Sequence, residues 1–225
     1  MLAWIGPDDP FPPVARALKD PNGLLAAGGD LSQARLLEAY RHGIFPWFSR
    51  GEPILWWSPD PRMVLHTGEL KVSRSLAKNL RNKGYRVTVD TAFAEVLRGC
   101  GSRKETWLGK PMQAAYLALH RAGHAHSFET WHKDDLVGGL YGVAVGRMFY
   151  GESMFSKATD ASKVALVTLV QELVVREFPL IDCQMKTPLL ASLGGREIPR
   201  TAFLRALTAL VHYEQPPGKW SLVKT

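Results

Sequence analysis

Three polar residues lie where the sequence otherwise reads as apolar strand. Glu152 sits inside Met148–Phe155, and Asp182 and Gln184 sit inside Leu180-Ile181-Asp182-Cys183-Gln184-Met185. An unpartnered buried carboxylate is costly. Two acids in core-like strands are therefore either satisfied internally or kept for the chemistry of a site. Asp182 and Gln184 are two apart, a spacing that turns both side chains to one face of a strand. His124 and His126 share that spacing, but no third ligand is identifiable, so no metal site is expected.

The elements that must position these residues form one compact unit. Asp135–Val145 and Met148–Phe155, separated by Gly146-Arg147, read as a hairpin. A long apolar helix pattern runs from Ser162 to about Glu177, and the Leu180–Met185 strand follows. Hairpin, helix and strand together can carry a site at their open end.

Residues 1–62 read as a small irregular domain, dense in Pro, Gly and aromatic residues, and residues 63–225 as a larger one. In the first, Val14–Lys19 is a short helix and Asp20-Pro21-Asn22-Gly23 a turn. Ser32 caps a helix from Gln33 to His42 with Leu36, Leu37 and Tyr40 on one face. Gly43–Phe48 is an aromatic loop, and Leu55–Pro61 a strand stopped by its prolines.

In the second, Met63–His66 and Tyr85–Val89 are strands. Ser73 starts a helix to about Lys83, with Arg74, Lys78, Arg81 and Lys83 outward. Asp90 or Thr91 caps the next helix. Trp107 lies in the polar loop 99–109, and Pro111 opens a helix that turns Met112, Ala115, Tyr116 and Leu119 inward. His124–Trp131 is a strand of period two. A helix lies around Leu189–Leu193 and a final one over Phe203–Tyr213, and the tail from Gln215 reads as peripheral.

With 225 residues, 46% hydrophobic and 22% charged, the chain is long enough for one sizeable core. A net charge of +7 suits a polyanionic partner, nucleic acid before membrane, and fits an ordinary basic enzyme as well. Cys100 and Cys183 read as reduced thiols in a cytoplasmic protein. Ala3–Pro7 is too short and uncharged for a signal peptide, and no apolar run has the roughly 18 residues of a membrane helix.

Many blocks taken together resemble one family. They include Gly28-Gly29-Asp30-Leu31, Gly43-Ile44-Phe45-Pro46-Trp47-Phe48, Trp56-Trp57-Ser58-Pro59-Asp60-Pro61-Arg62 and Thr106-Trp107. Further on come Gly123–Ser127, Gly138–Gly142, Gly151–Ser156, Ala161-Ser162-Lys163, Leu180–Gln184 and Ala191–Gly194. Each is weak alone, and the set resembles leucyl/phenylalanyl-tRNA–protein transferases over nearly the whole chain.

The resemblance implies an α+β fold: a small N-terminal domain plus a C-terminal acetyltransferase-like (GNAT) domain, its mixed, mostly antiparallel sheet flanked by helices. It implies transfer of Leu or Phe, less readily Met, from aminoacyl-tRNA to the α-amine of proteins with N-terminal Arg or Lys. The product feeds regulated, N-end-rule proteolysis. No cofactor is implied, and a monomer is expected.

The resemblance, together with what the chemistry needs, gives candidate site residues. Asp182 and Gln184 match the reaction-centre strand, Asp182 orienting Gln184 and the Gln184 amide oxygen accepting a hydrogen bond from the attacking amine. Asp182 or the terminal ribose hydroxyl takes the proton. Glu152 holds the aminoacyl ammonium or the acceptor's amine. Leu140, Phe149, Leu169 and Ile181 are candidates for the Leu/Phe side-chain pocket, or ordinary core. Trp47 and Trp107 would stack the 3′-terminal adenosine, and Arg74, Lys78 and Arg81 would meet acceptor-stem phosphates.

Two readings compete. An acetyl-CoA N-acetyltransferase needs a Gly-rich pyrophosphate loop after the hairpin, where this chain has Met154-Phe155-Ser156-Lys157-Ala158-Thr159. A non-catalytic RNA-binding module accounts for the charge but gives no reason for Glu152, Asp182 and Gln184.

Overall fold

The structure, a computed structural model, describes residues 2–102, 107–214 and 217–223. Arg103 to Thr106, read above as the polar surroundings of Trp107, lie outside the described residues.

The chain begins with β1 (Ala3–Ile5), β2 (Leu24–Gly28), α1 (Gln33–Arg41), β3 (Phe45–Pro46) and β4 (Leu55–Trp57). The four strands form a sheet in the order β1-β2-β4-β3, so the N-terminal region is more regular than its composition suggests. Alternation is no guide in strands of two to five residues. Trp56 and Trp57 hold this sheet by donating their indole N–H groups to the carbonyls of Gly28 and Trp47. Ser32 caps α1 as expected, its Oγ accepting the Arg35 N–H at 3.3 Å.

The larger sheet starts at β5 (Arg62–His66). Then come α2 (Arg74–Asn82), β6 (Tyr85–Val89), α3 (Phe93–Gly101), α4 (Lys110–Arg121), β7 (Ala125–His132), β8 (Asp135–Val145) and β9 (Met148–Ser156). The chain ends with α5 (Ala161–Val175), β10 (Leu180–Gln184), α6 (Pro188–Ser192), β11 (Arg196–Ile198) and α7 (Arg200–Leu210).

The order β11-β5-β10-β9-β8-β7-β6 gives a seven-stranded sheet, antiparallel except where β10 runs parallel to β9. That parallel pair needs a crossover, which α5 supplies. α5 is apolar around most of its circumference and is buried accordingly.

Two hydrophobic clusters cover the faces of this sheet. One joins it to α1, α3, α4 and the N-terminal sheet, with Tyr40, Trp56, Tyr116 and Tyr141 inside. The other joins it to α5, with Leu140, Phe149, Leu169 and Ile181 inside. The expected α+β architecture, a mixed and mostly antiparallel sheet flanked by helices, is present.

Two expectations are corrected. Neither Asp90 nor Thr91 caps α3, whose N-cap position is Ala92. Asp90 is instead a buried acceptor for His126 Nδ1 at 2.8 Å, the Ser127 N–H at 2.9 Å and the Trp220 N–H at 2.7 Å. The second correction concerns the tail, whose described residues 217–223 are a docked strap rather than a peripheral end. Trp220 stacks on His126 with centroids 3.8 Å apart and lies under the Arg176 guanidinium at 4.6 Å. Arg176 donates to the Ser221 carbonyl, and the Val223 N–H donates to Glu172. Proline and glycine in the tail disfavour helix and strand, but one aromatic side chain suffices as an anchor. Trp220→Ala should lower the free energy of unfolding by about 2–4 kcal/mol, read as a lower urea midpoint at unchanged slope.

Candidate active site

The site is built where two neighbouring strands depart from regular pairing. On β9, Gly151 pairs with Gly142 and Ser153 with Tyr141, so Glu152 is the extra residue of a β-bulge. On β10, Asp182 pairs with Val64 and Gln184 with Met63, so Cys183 is the extra residue of a second bulge. The parallel β9–β10 pairing runs only to Tyr150 and Asp182. Beyond it a cavity of about 370 Å³ is lined from both strands. Bulges re-aim side chains in this way beside active sites. Gly142 permits the one on β9, because a Cβ there would stand 2.3 Å from the Tyr150 carbonyl oxygen.

Glu152 points at α1 and α4. Its Oε1 accepts from the Tyr40 hydroxyl at 2.8 Å and the Gln184 side-chain amide at 3.1 Å, and its Oε2 accepts from the Tyr116 hydroxyl at 2.6 Å. The two hydroxyls are 3.1 Å apart. Burial pushes the Glu152 carboxyl up from 4.5 to about 7, against the opposing pull of the bonds from Tyr116 and Tyr40. Burial, with the Glu152 charge next in size, holds both tyrosines well above their ordinary values, so they remain donors. Near neutral pH the cavity therefore contains a carboxyl poised between two protonation states.

Gln184 adopts a left-handed backbone, φ +63°, at the second bulge. Since its Nε2 donates to Glu152, the amide oxygen is the end left to accept a bond from a ligand. Asp182 is oriented differently. It is fully buried, receives Arg62 Nε at 2.8 Å and Nη2 at 2.6 Å, and accepts the Gln184 backbone N–H at 2.9 Å. It is not in the cavity wall, whereas Cys183 and Gln184 are. The expectation that Asp182 and Gln184 share one face is thus corrected. The period of two fails because a bulge intervenes. Asp182 braces the turn of Gln184 through the backbone and is committed to Arg62.

The other sequence candidates divide. Leu140, Leu169 and Ile181 line the cavity, and so do Trp47 and Trp107. Phe149 does not, which corrects its place among the pocket candidates. A Cβ on Gly142 would meet the Phe149 ring at 2.4 Å, and the ring lies 6.1 Å from Trp220. Arg74, Lys78 and Arg81 are exposed on α2, outside the cavity wall.

Tyr40, Tyr116 and Arg62 were not identified as site residues. The two tyrosines were legible only as inward helix positions, although a buried tyrosine hydroxyl needs a partner. Arg62 abuts an apolar strand, where a charge asks for a counter-ion.

Among the described residues, no helix is long and apolar enough to cross a membrane, and no cluster of three or more His, Cys, Asp or Glu could hold a metal.

Comparison with known proteins sets this geometry in a family. Residues 64–208 match the family model described as leucyl/phenylalanyl-tRNA protein transferase, and residues 29–60 match the model of its N-terminal domain. The chain is 63% identical over 215 residues to the leucyl/phenylalanyl-tRNA–protein transferase of Thiobacillus denitrificans, covering 94% of each chain. It is 58% identical over 224 residues to that of Chromobacterium violaceum, covering 98% of this chain and 96% of the other. Among solved structures, a GCN5-related N-acetyltransferase from Kribbella flavida aligns with it at 13% identity and a TM-score of 0.35, covering 73% of this chain and 60% of that one. By its full-length relatives and by both matching models, the chain belongs to the leucyl/phenylalanyl-tRNA–protein transferase family and is an aminoacyltransferase.

Proposed function

We propose that this enzyme acts in the cytoplasm, moving Leu or Phe, and less readily Met, from aminoacyl-tRNA to the α-amine of proteins that begin with Arg or Lys. The modified N-terminus then marks the acceptor for N-end-rule degradation. One observation carries the chemical part. A single cavity is lined by the apolar Leu140, Leu169 and Ile181, by Trp47 and Trp107, and by the bonded pair Glu152 and Gln184. An apolar pocket separates similar side chains by only about 1–3 kcal/mol, which suits acceptance of Leu, Phe and Met together.

The donor ester is already activated. The acceptor α-amine has an ordinary pKa of about 8, so roughly a tenth is neutral near pH 7, at a cost of about 1.4 kcal/mol. Positioning therefore outweighs strong base catalysis. In the proposed step the Gln184 amide oxygen accepts a hydrogen bond from the amine and aims its lone pair at the ester carbonyl. The C–N bond forms, and the excess amine proton passes to the Glu152 carboxylate, whose pKa of about 7 lies close to that of the amine. The C–O bond then breaks, and the departing 3′-oxygen of the ribose takes that proton. Asp182 takes no part in the transfer, because it is fully buried outside the cavity wall and ion-paired with Arg62.

Stacking of the terminal adenosine on Trp47 or Trp107 is worth roughly 1–3 kcal/mol and ignores the stem sequence. The cationic face of α2 supplies affinity for phosphates. Replacing Arg74, Lys78 and Arg81 together by Ala should weaken tRNA binding and lower the salt slope of log K by about 2–3, with the rate at saturating tRNA unchanged. Filter binding from low to high salt checks this, and an unaltered slope would exclude the face.

The acetyl-CoA reading is disfavoured by the turn before α5. The N–H groups of Lys157 and Ala158 donate to the Val137 carbonyl, that of Ala161 to Ala158, and that of Ser162 to Ser156 Oγ. The Asp160 carboxylate also stands there, paired with Lys163 at 2.8 Å. Backbone donors that would cradle a pyrophosphate are engaged, beside a like charge.

The decisive assay offers labelled Leu-tRNA to a peptide beginning with Arg and to one beginning with Ala, without acetyl-CoA. Label on the Arg peptide alone is expected. Equal labelling removes the acceptor rule, and a requirement for acetyl-CoA removes the donor.

A further inference from the structure

Arg62 reaches two parts of the site that are distant in the chain. Besides its paired bonds to Asp182, it donates Nη1 to the Gly43 carbonyl at 3.1 Å. Its guanidinium lies between the rings of Phe45 and Phe203, at 4.8 and 4.6 Å from their centroids. Arg62 and Asp182 have no solvent exposure.

From Asp182 the connection continues to the Gln184 backbone. From Gly43 it continues along the chain to Phe45, Pro46 and Trp47, all in the cavity wall. One planar fork thus ties the Trp47 wall to the Gln184 turn. A buried ion pair is weak evidence of a stabilising role, since apolar replacements are often as stable. Three directed bonds fix a distance and an orientation, which apolar packing does less well.

We propose that Arg62 is a positioning residue for the transfer reaction, setting the separation between the Trp47 wall and the Gln184 amide. It thereby sets where the adenosine-anchored ester lies relative to the attacking amine. This rests on the reading of Trp47 and Gln184 given under Proposed function. Lysine at this place would keep the charge, but a single ammonium cannot hold a carboxylate in two parallel bonds and reach Gly43 as well.

The test is Arg62→Lys, checked for folding by near-UV circular dichroism and studied well below its melting temperature. Binding of an unreactive, amide-linked 3′-phenylalanylamino-adenosine is measured by calorimetry, and transfer by single turnover. The expected result is about tenfold weaker analogue binding and about 100-fold slower transfer, with the acceptor-peptide KM changed far less. Combined with Trp47→Ala, the binding losses should be less than additive, because the variant already misplaces that wall. A folded Arg62→Lys protein that binds and transfers like the wild type overturns the proposal, as do additive losses. If Arg62→Lys does not fold, Asp182→Asn, which keeps the shape of the carboxylate, is held to the same outcomes. Analogue binding needs no acceptor. Wild-type protein that binds the analogue but labels no Arg peptide would therefore remove the acceptor rule and leave Arg62 to be judged on affinity.

Discussion

Glu152→Gln is expected to slow transfer about 10²-fold at pH 7.5, the usual yield of one positioned proton acceptor. The substitution keeps the shape of the side chain and its partners Tyr40, Tyr116 and Gln184. What is lost is the negative charge and the site that receives the amine proton. Stability should move the other way. The folded-state pKa of Glu152 is raised, so its contribution to stability is fully present below the ordinary 4.5 and is lost as pH rises through about 7. Above pH 7 the wild type holds a half-buried charge that the amide avoids, so Glu152→Gln should melt no lower than wild type at pH 8. Slower transfer with an undiminished melting temperature separates a chemical role from a structural one. A variant that is slow only because it is unfolded would remove Glu152 from the mechanism.

Asp182→Ala should act first on stability. It strips the Arg62 guanidinium of its counter-ion in a site without solvent exposure, leaving the bond to Gly43 and two aromatic faces. Breaking a buried pair in this way costs about 3–5 kcal/mol, a large part of the roughly 5–15 kcal/mol that keeps a domain folded. Urea unfolding should show a much lower midpoint. Replacing both partners, Arg62→Met with Asp182→Leu, should restore much of the stability. It should not restore the rate, because the brace on Gln184 is gone. An Asp182→Ala protein with a normal midpoint would contradict this account of the pair.

The legible part of the fold was the part with long, periodic elements. The hairpin of β8 and β9, the apolar α5 and β10 were readable because each is a continuous apolar run bounded by turn residues. Glu152 and Gln184 stood out as polar residues in apolar strands, and both bond to each other in the cavity. What escaped depends on local breaks in those periods or on contacts across the chain. The bulge at Cys183 cannot be inferred from Leu180–Met185, so Asp182 and Gln184 were placed on one face. Arg62 and Asp182 are 120 residues apart, and Tyr40 and Glu152 are 112 apart. Nothing in either local sequence announces the partner. Trp220 was missed for the same reason: its slot is made by His126, Phe149 and the pair Arg176 and Phe178, which come from three other segments.

The most direct test of the central claim is the pH dependence of transfer from Leu-tRNA to a peptide with N-terminal Arg. It should be measured as kcat/KM for the peptide, without acetyl-CoA, in wild type and Glu152→Gln. The wild type should show two rising limbs, one near pH 7 from Glu152 and one near the acceptor amine's ordinary value of about 8. Glu152→Gln should keep only the upper limb. Superimposable profiles would show that the Glu152 carboxyl does not take part in the reaction, and the proposed chemistry of the site would fall with it.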